Sequence, residues 1–399
     1  MLPSVNPMVK GIPEALSIFV NQIVYDKKNR GERVYTFSLG EAFFEVPRFA
    51  ISDEDFYKGY HYSSSMGQPE LRKKIAKMYH DYYGAAINPG TEILVSAGSK
   101  AIIYMLISTV VSDGDEVLVH EPAWLSYKEQ IKLARGVCVS IPFDKDISEW
   151  KRYITEKTKL IIINNPNNPS GQLYSRNELD EILKIAEENN LFILVDEAYS
   201  DFILPGDKFV SFASVDTKKE HCLIVNSLSK NMGLSGWRVG YAIAHQDVIK
   251  QLLKLNQHFI TCAPTVLQDY MARHFEDILD ATIPQAQEMA IKRKAVQDIM
   301  DDLGINYIKG SGTFYFMVDV SEFKGTTEEL VYTLLLDDNI ATVPGRAYGE
   351  STANHLRFGI GVERLEDIKM CLQIIKRYLQ LSCFDPTDIR RRMKELGIT

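Results

Sequence analysis

Lys230 is the residue from which the chemistry of this chain is most readily read. It lies in NSLSKNMGLSGWRVGYAIA, residues 226–244, directly after an apolar run. Ser227 and Ser229 share its turn, and Arg238 follows eight residues on. Two hydroxyls, an ammonium and a guanidinium in one turn can bind a phosphate and present an amine to an aldehyde. A lysine forms imines readily once burial or neighbouring positive charge lowers its pKa. An arginine grips phosphate through paired hydrogen bonds, and serine hydroxyls donate to the same oxygens. Taken alone, the lysine reads more readily as a solvated residue of a polar loop, and it is the combination with other segments that reverses this.

Other segments supply what such a site lacks. Asp196 and Tyr199, in VDEAYSDF, follow the most apolar run of the chain. A carboxylate at the mouth of a buried strand is costly without a cationic partner. A protonated pyridine nitrogen is such a partner, and the pairing keeps the ring an electron sink. Tyr199 is placed to bond the ring's phenolic oxygen; the plainer alternative is a helix-capping Asp beside a core Tyr. NNPNNPSG, residues 164–171, is turn chemistry with X-Pro bonds open to the cis form, and it projects the amide of Asn168 at the ring. A plain strand-to-helix turn is the alternative there. In SAGSKA, residues 96–101, Gly98, Ser99 and Lys100 let a helix N-terminus approach a phosphate. Trp124 can stack on the ring or serve as an ordinary core or surface indole. Arg357, in HLRFGIG, needs an anion if it points inward: a substrate α-carboxylate, or an internal salt bridge. Together these residues describe a site for pyridoxal 5'-phosphate (PLP) and an amino acid.

The elements that must position them are visible as a rhythm. Apolar runs recur at 92–96, 116–120, 137–141, 159–164, 191–196, 222–226 and 239–244. Helical patterns separate several of them, at 100–111, 123–134 and 175–190, the last with a Ser175/Glu178 capping box. Apolar strands alternating with helices imply a largely parallel sheet covered on both faces. Ligands bind such sheets at the carboxyl ends of the strands, where the residues above fall. Beyond 285 the pattern changes to a charged helix (286–304), a strand within 312–320, a helix (328–338), strands around 341–345 and 355–361, and a helix (363–380). The expected fold class is α/β. A large domain (46–284) carries a seven-stranded, mostly parallel sheet between helices. A smaller α+β domain combines 1–45 with 285–380, its N-terminal arm holding an amphipathic helix over 12–29, and 381–399 is a helical extension.

Bulk properties narrow the partners. The 399 residues are 45% hydrophobic and 25% charged, with a net charge of -8, which argues against nucleic acid or an anionic membrane as partner. Five scattered cysteines without a CxxC pair read as free thiols in a reducing compartment, and no metal-ligand spacing occurs. The N-terminus lacks the pattern of a secretory signal and no apolar run is long enough to span a bilayer, so a cytoplasmic protein is expected.

Several of these segments resemble the signatures of fold-type I PLP enzymes, specifically the class I/II aminotransferases of the aspartate aminotransferase superfamily. SLSKNMGLSGWRVGY is similar to the cofactor-lysine signature, NNPNNPSG to NPxNPTG, and VDEAY to DExY. GYHYSSSMGQPELR (59–72) resembles YxxxxGxxxLR, and FSLGEAFFEVP (37–47) resembles LxxGEPDFxTP. The resemblance runs from about residue 12 to 380. It implies transfer of an amino group from an L-amino acid to a 2-oxo acid by a ping-pong route. A lyase, decarboxylase or racemase on the same cofactor is the alternative. Lys230 would link to the cofactor and carry the proton between Cα and C4′. Asp196 would pair with the ring nitrogen, while Asn168 and Tyr199 bond the phenolic oxygen. Ser99, Lys100, Ser227 and Arg238 would hold the phosphate, with Tyr62 reaching it from the neighbouring subunit of a homodimer. Gly40 and Arg357 would hold the substrate carboxylate, under a clamp formed by the N-terminal segment. Lys100 also stands where some aspartate-using members contact a distal carboxylate. Ala42 and Phe43 replace the usual Pro-Asp at the pocket lip, and Ala123 replaces an aromatic before Trp124.

Overall fold

The computed structural model describes residues 3–398. After a two-residue strand, β1 (Tyr35–Thr36), come the strands of the main sheet: β2 (Ile93–Ser96), β3 (Glu116–His120), β4 (Val137–Ile141), β5 (Thr158–Asn164), β6 (Phe192–Asp196), β7 (Cys222–Ser227) and β8 (Gly240–Ala244). They lie in the order β2-β8-β7-β6-β5-β3-β4. The pairs from β4 to β7 are parallel, and β8 runs antiparallel to both of its neighbours. The strands bury both faces by alternation. Ile161, Ile163, Ile193, Val195 and Ile224 pack on one side. Leu160, Ile162, Leu194, Leu223 and Val225 pack on the other. Each such buried side chain contributes roughly 1.5–3 kcal/mol, so a one-residue slip of any strand would turn every anchor to the wrong face.

Register then aligns the functional positions. Asn164 pairs with Asp196, and Asp196 with Val225, so the ends of β5, β6 and β7 form one edge. Gly240 opposite Ser227 is required by close approach: a Cβ there would stand 2.7 Å from the Ser99 nitrogen. The helix Ser99–Val110 therefore starts against the end of β7.

The second body of structure has β9 (Tyr315–Asp319), β10 (Ile340–Ala341), β11 (Val343–Pro344) and β12 (His355–Gly359). An antiparallel sheet, β11-β12-β9, packs with helices Thr327–Asp337 and Leu365–Leu379 around Phe37, Phe314, Phe316 and Phe358. The single strand expected around 341–345 is two: β10 pairs with β1, and after Thr342 β11 pairs with β12. The charged helix begins earlier than its pattern suggested, running over Phe275–Asp302 and so through position 285. Its buried Arg293 donates to the carbonyls of Ser170 (3.2 Å), Gly310 (3.1 Å) and Tyr315, tying the NNPNNPSG turn to β9. The Ser175/Glu178 capping box is present. Helices Pro69–Tyr83, Gln246–Phe259 and Thr265–Arg273 fall in stretches where the sequence reading placed no element.

Candidate active site

The carboxyl edge of the main sheet opens into a cavity of about 300 Å³. Asp196 forms its floor at the end of β6 and is 7% exposed. Its Oδ2 accepts from the Tyr127 hydroxyl at 2.8 Å, and its Oδ1 from the Ala198 N–H at 3.1 Å. Desolvation raises its pKa above the ordinary value despite those two donors. Asn164 fixes the neighbouring turn: its Nδ2 donates to the Asp196 carbonyl at 2.7 Å, and its Oδ1 accepts from the Asn168 N–H at 2.6 Å. Both X-Pro bonds of that turn are cis. The Asn168 amide donates to the Tyr199 hydroxyl at 3.3 Å, and Tyr199 lies 3.1 Å from the Tyr315 hydroxyl.

Lys230 stands in the short helix Leu228–Asn231 that caps β7. Its Nζ donates to the Gly40 carbonyl and sits 6.0 Å from the Tyr199 ring centroid. Burial lowers its pKa to about 8, with Glu41 opposing the shift and Arg357 and Arg238 reinforcing it. The amine is therefore partly neutral near physiological pH. Around it, Ser99, Ser227, Ser229 and Arg238 converge on one end of the cavity. Gly98 does not line the cavity, but it makes room for Arg238: at φ +88° its added Cβ would stand 2.6 Å from the guanidinium. Lys100 and Trp124 line the adjoining wall, with the ammonium 5.1 Å from the indole centroid. Desolvation, then Arg238, lowers the Lys100 pKa.

At the far end Arg357 is buried on β12. Its Nη2 donates to the Ser38 carbonyl at 2.6 Å, and its guanidinium lies over Tyr315 (4.8 Å) and Tyr348 (5.1 Å). No carboxylate of the chain pairs with it within salt-bridge distance among the described residues. Gly40 completes this end. Tyr62 lies outside the cavity and is 86% exposed.

These residues fit PLP on their own chemistry. Asn168 Oδ1, Ser229 Oγ and Arg357 Nε are buried without a hydrogen-bond partner, on residues that line the cavity. Asp196 is a buried carboxylate lacking a cation in contact, which a protonated ring nitrogen supplies. The hydroxyls, the guanidinium and the helix N-terminus at Ser99 suit a phosphate.

The sequence reading passed over Tyr127, Asn164, Tyr315, Ser38 and the N-terminal helix residues Ser17 and Asn21, most of which line the cavity. For Asn164 a signal existed, because it ends its strand level with Asp196. Tyr127 and Tyr315 are brought in by packing, and nothing local marks them.

Comparison with known proteins agrees with this geometry. Residues 41–374 match the family described as aminotransferase class I and II. The chain is 31% identical over 362 residues to an aspartate aminotransferase of Pyrococcus abyssi, covering 88% of this chain and 93% of the relative. It is 29% identical over 357 residues to aromatic-amino-acid aminotransferase 2 of Thermococcus litoralis, covering 86% and 92%. The structure of Thermus thermophilus aspartate aminotransferase with maleate superposes with a TM-score of 0.84 at 25% identity, over 94% of this chain and 100% of that one. The fold and site define a fold-type I PLP enzyme. The chain belongs to the aminotransferase class I and II family and is a PLP-dependent aminotransferase. Elimination, decarboxylation and racemisation, which the residues alone leave open, are not favoured by these relatives. Among the described residues no helix is long and apolar enough to cross a membrane.

Proposed function

We propose that the chain moves an amino group from an L-amino acid to a 2-oxo acid in two half-reactions, with Lys230 as the covalent and proton-carrying residue. The observation that carries this reading is the shared cavity of Lys230, Asp196 and Arg357, whose lysine pKa is pushed down to about 8. When bound, PLP supplies an aldehyde and an electron-withdrawing ring that stabilises negative charge at the substrate Cα. Asp196 holds the ring nitrogen, with Tyr127 and Ala198 fixing the carboxylate. Asn168 and Tyr199 would bond the phenolic oxygen, and Trp124 would pack against the ring. Ser99, Lys100 through its backbone, Ser227, Ser229 and Arg238 hold the phosphate, and Gly98 gives Arg238 its place. Arg357 and Gly40 orient the substrate α-carboxylate. Lys230 Nζ, in the same cavity as Arg357 and Arg238, would take the Cα proton and later return it.

We infer further that the site is shared between two subunits in a homodimer, each receiving Tyr62 from its partner. The exposed aromatics Tyr57 (64%), Tyr60 (67%) and Tyr62 (86%) support this reading. The polar wall of Ser17, Asn21, Ser38 and Lys100 favours a donor with an acidic side chain, as do relatives named for aspartate. The free thiols fit a reducing, cytoplasmic location.

The test follows the visible absorbance of the PLP-loaded protein. Adding an L-amino acid should abolish it without release of cofactor, and adding a 2-oxo acid should restore it. Absorbance that persists with every donor tried, aspartate and phenylalanine included, would contradict the proposal. Aspartate should give a higher kcat/KM than phenylalanine.

A further inference from the structure

We propose that the C-terminal extension is a positioning element for the substrate end of the active site, acting through the N-terminal helix. The family match ends at residue 374, so the extension lies outside it. The extension is not loose. Its helix Thr387–Glu395 buries Ile389 to 4% exposure. Arg390 donates to the buried Glu329 at 2.5 Å, and Arg392 to Asp337 at 2.6 Å, fastening it to helix Thr327–Asp337.

Ile389 shares one hydrophobic cluster with Val20 and Val24 of the helix Leu16–Asn29, together with Tyr332, Leu335 and Ala341. Met393 and Ile398 pack against the same cluster. The tail thus backs the helix Thr327–Asp337, whose Tyr332 and Leu335 share this cluster with the valines of the N-terminal helix. The same inward face of that N-terminal helix carries Ser17 and Asn21, beside the valines, to the cavity wall. Asn21 Oδ1 accepts from the Ser38 hydroxyl at 2.6 Å, and the Ser38 carbonyl accepts from Arg357 at 2.6 Å. A continuous path of contacts therefore leads from Ile389 through the N-terminal helix to the guanidinium. Loosening this cluster frees the helix, and the helix no longer holds Ser38 against Arg357. A misplaced Arg357 weakens capture of both substrates, because the amino acid and the 2-oxo acid present the same α-carboxylate. This last link rests on Arg357 as the carboxylate site.

Two variants test the proposal: a chain shortened to end at Leu381, and full-length Ile389→Asp. Hydrogen exchange of the PLP-loaded proteins should quicken over 16–29 and stay at the parental rate over helix 69–83. KM for both substrates should rise about tenfold with kcat within about twofold of the parent. Arg391→Ala, which removes pairs only within the tail (Asp388, Glu395), should match the parent. Parental exchange over 16–29, an unchanged KM, or faster exchange throughout the chain would each overturn it, the last by making the tail a general stabiliser. Arg357→Lys checks the underlying reading separately: an unchanged KM there removes Arg357 as the carboxylate site whatever the tail variants do.

Discussion

The floor of the cavity and its substrate end are built on different terms. The floor is the edge of one sheet: Asp196, the turn after Asn164, and Ser227 with Lys230 follow adjacent strands whose register is set by buried apolar residues on both faces. The substrate end is assembled from distant parts of the chain: Ser17 and Asn21 on a helix, Ser38 and Gly40 in an irregular stretch, Tyr315 and Arg357 on the smaller sheet. The floor is held by the continuous strand pairing of one sheet. The substrate end depends on a few long-range contacts, such as Arg357 on Ser38, 319 positions away. Fixed chemistry and adjustable substrate choice are thereby separated in one cavity.

If the floor carries the chemistry, changes there should act on kcat. Lys230→Ala should lower kcat by about 10⁴-fold while leaving PLP bound through its phosphate contacts, measured by turnover and by cofactor retention on gel filtration. Asp196→Asn removes the partner of a buried ring cation. It should cost about 3 kcal/mol, or roughly 10²-fold in kcat, in single-turnover assays. At the substrate end the effect should move to KM. Arg357→Lys loses paired hydrogen bonding to a carboxylate and should raise KM for both substrates roughly 30-fold, equivalent to about 2 kcal/mol. Equal effects on kcat and KM from all three would erase the distinction between the two ends.

A pH profile sharpens it. Burial disfavours the charged amine of Lys230, so the neutral, nucleophilic form dominates above about pH 8. The rate at which cofactor-free protein captures PLP, followed by absorbance, should fall about tenfold per pH unit below that point and level off above it. A rate still climbing steeply beyond pH 9 would place Lys230 in ordinary solvent.

The same contrast explains what could be read from sequence. Floor residues each stand within a few positions of an apolar strand, so the seven runs mark where such residues fall, residue type and motif single out Lys230, Asp196 and Asn168, and the seven-stranded sheet is present as expected. Tyr127, which steadies Asp196, sits in a helix whose own spacing says only that one side is buried. Tyr315 meets Tyr199 across 116 positions, a distance that no local pattern spans. The interval 341–345 reads as one strand because only Thr342 separates its β-forming residues, yet tertiary pairing divides it between two sheets there. Arg357 was legible because an arginine in an apolar strand is costly without an anion. The tail's buried Ile389 was not, since its seat is formed by residues from three separate segments.

Two lysines, Lys100 and Lys230, line the cavity, and only one can be the covalent residue. Borohydride reduction of the PLP-loaded protein, followed by peptide mass spectrometry, should place the pyridoxyl adduct on Lys230 with Lys100 unmodified. An adduct on Lys100, or on any lysine outside the cavity, would contradict the account.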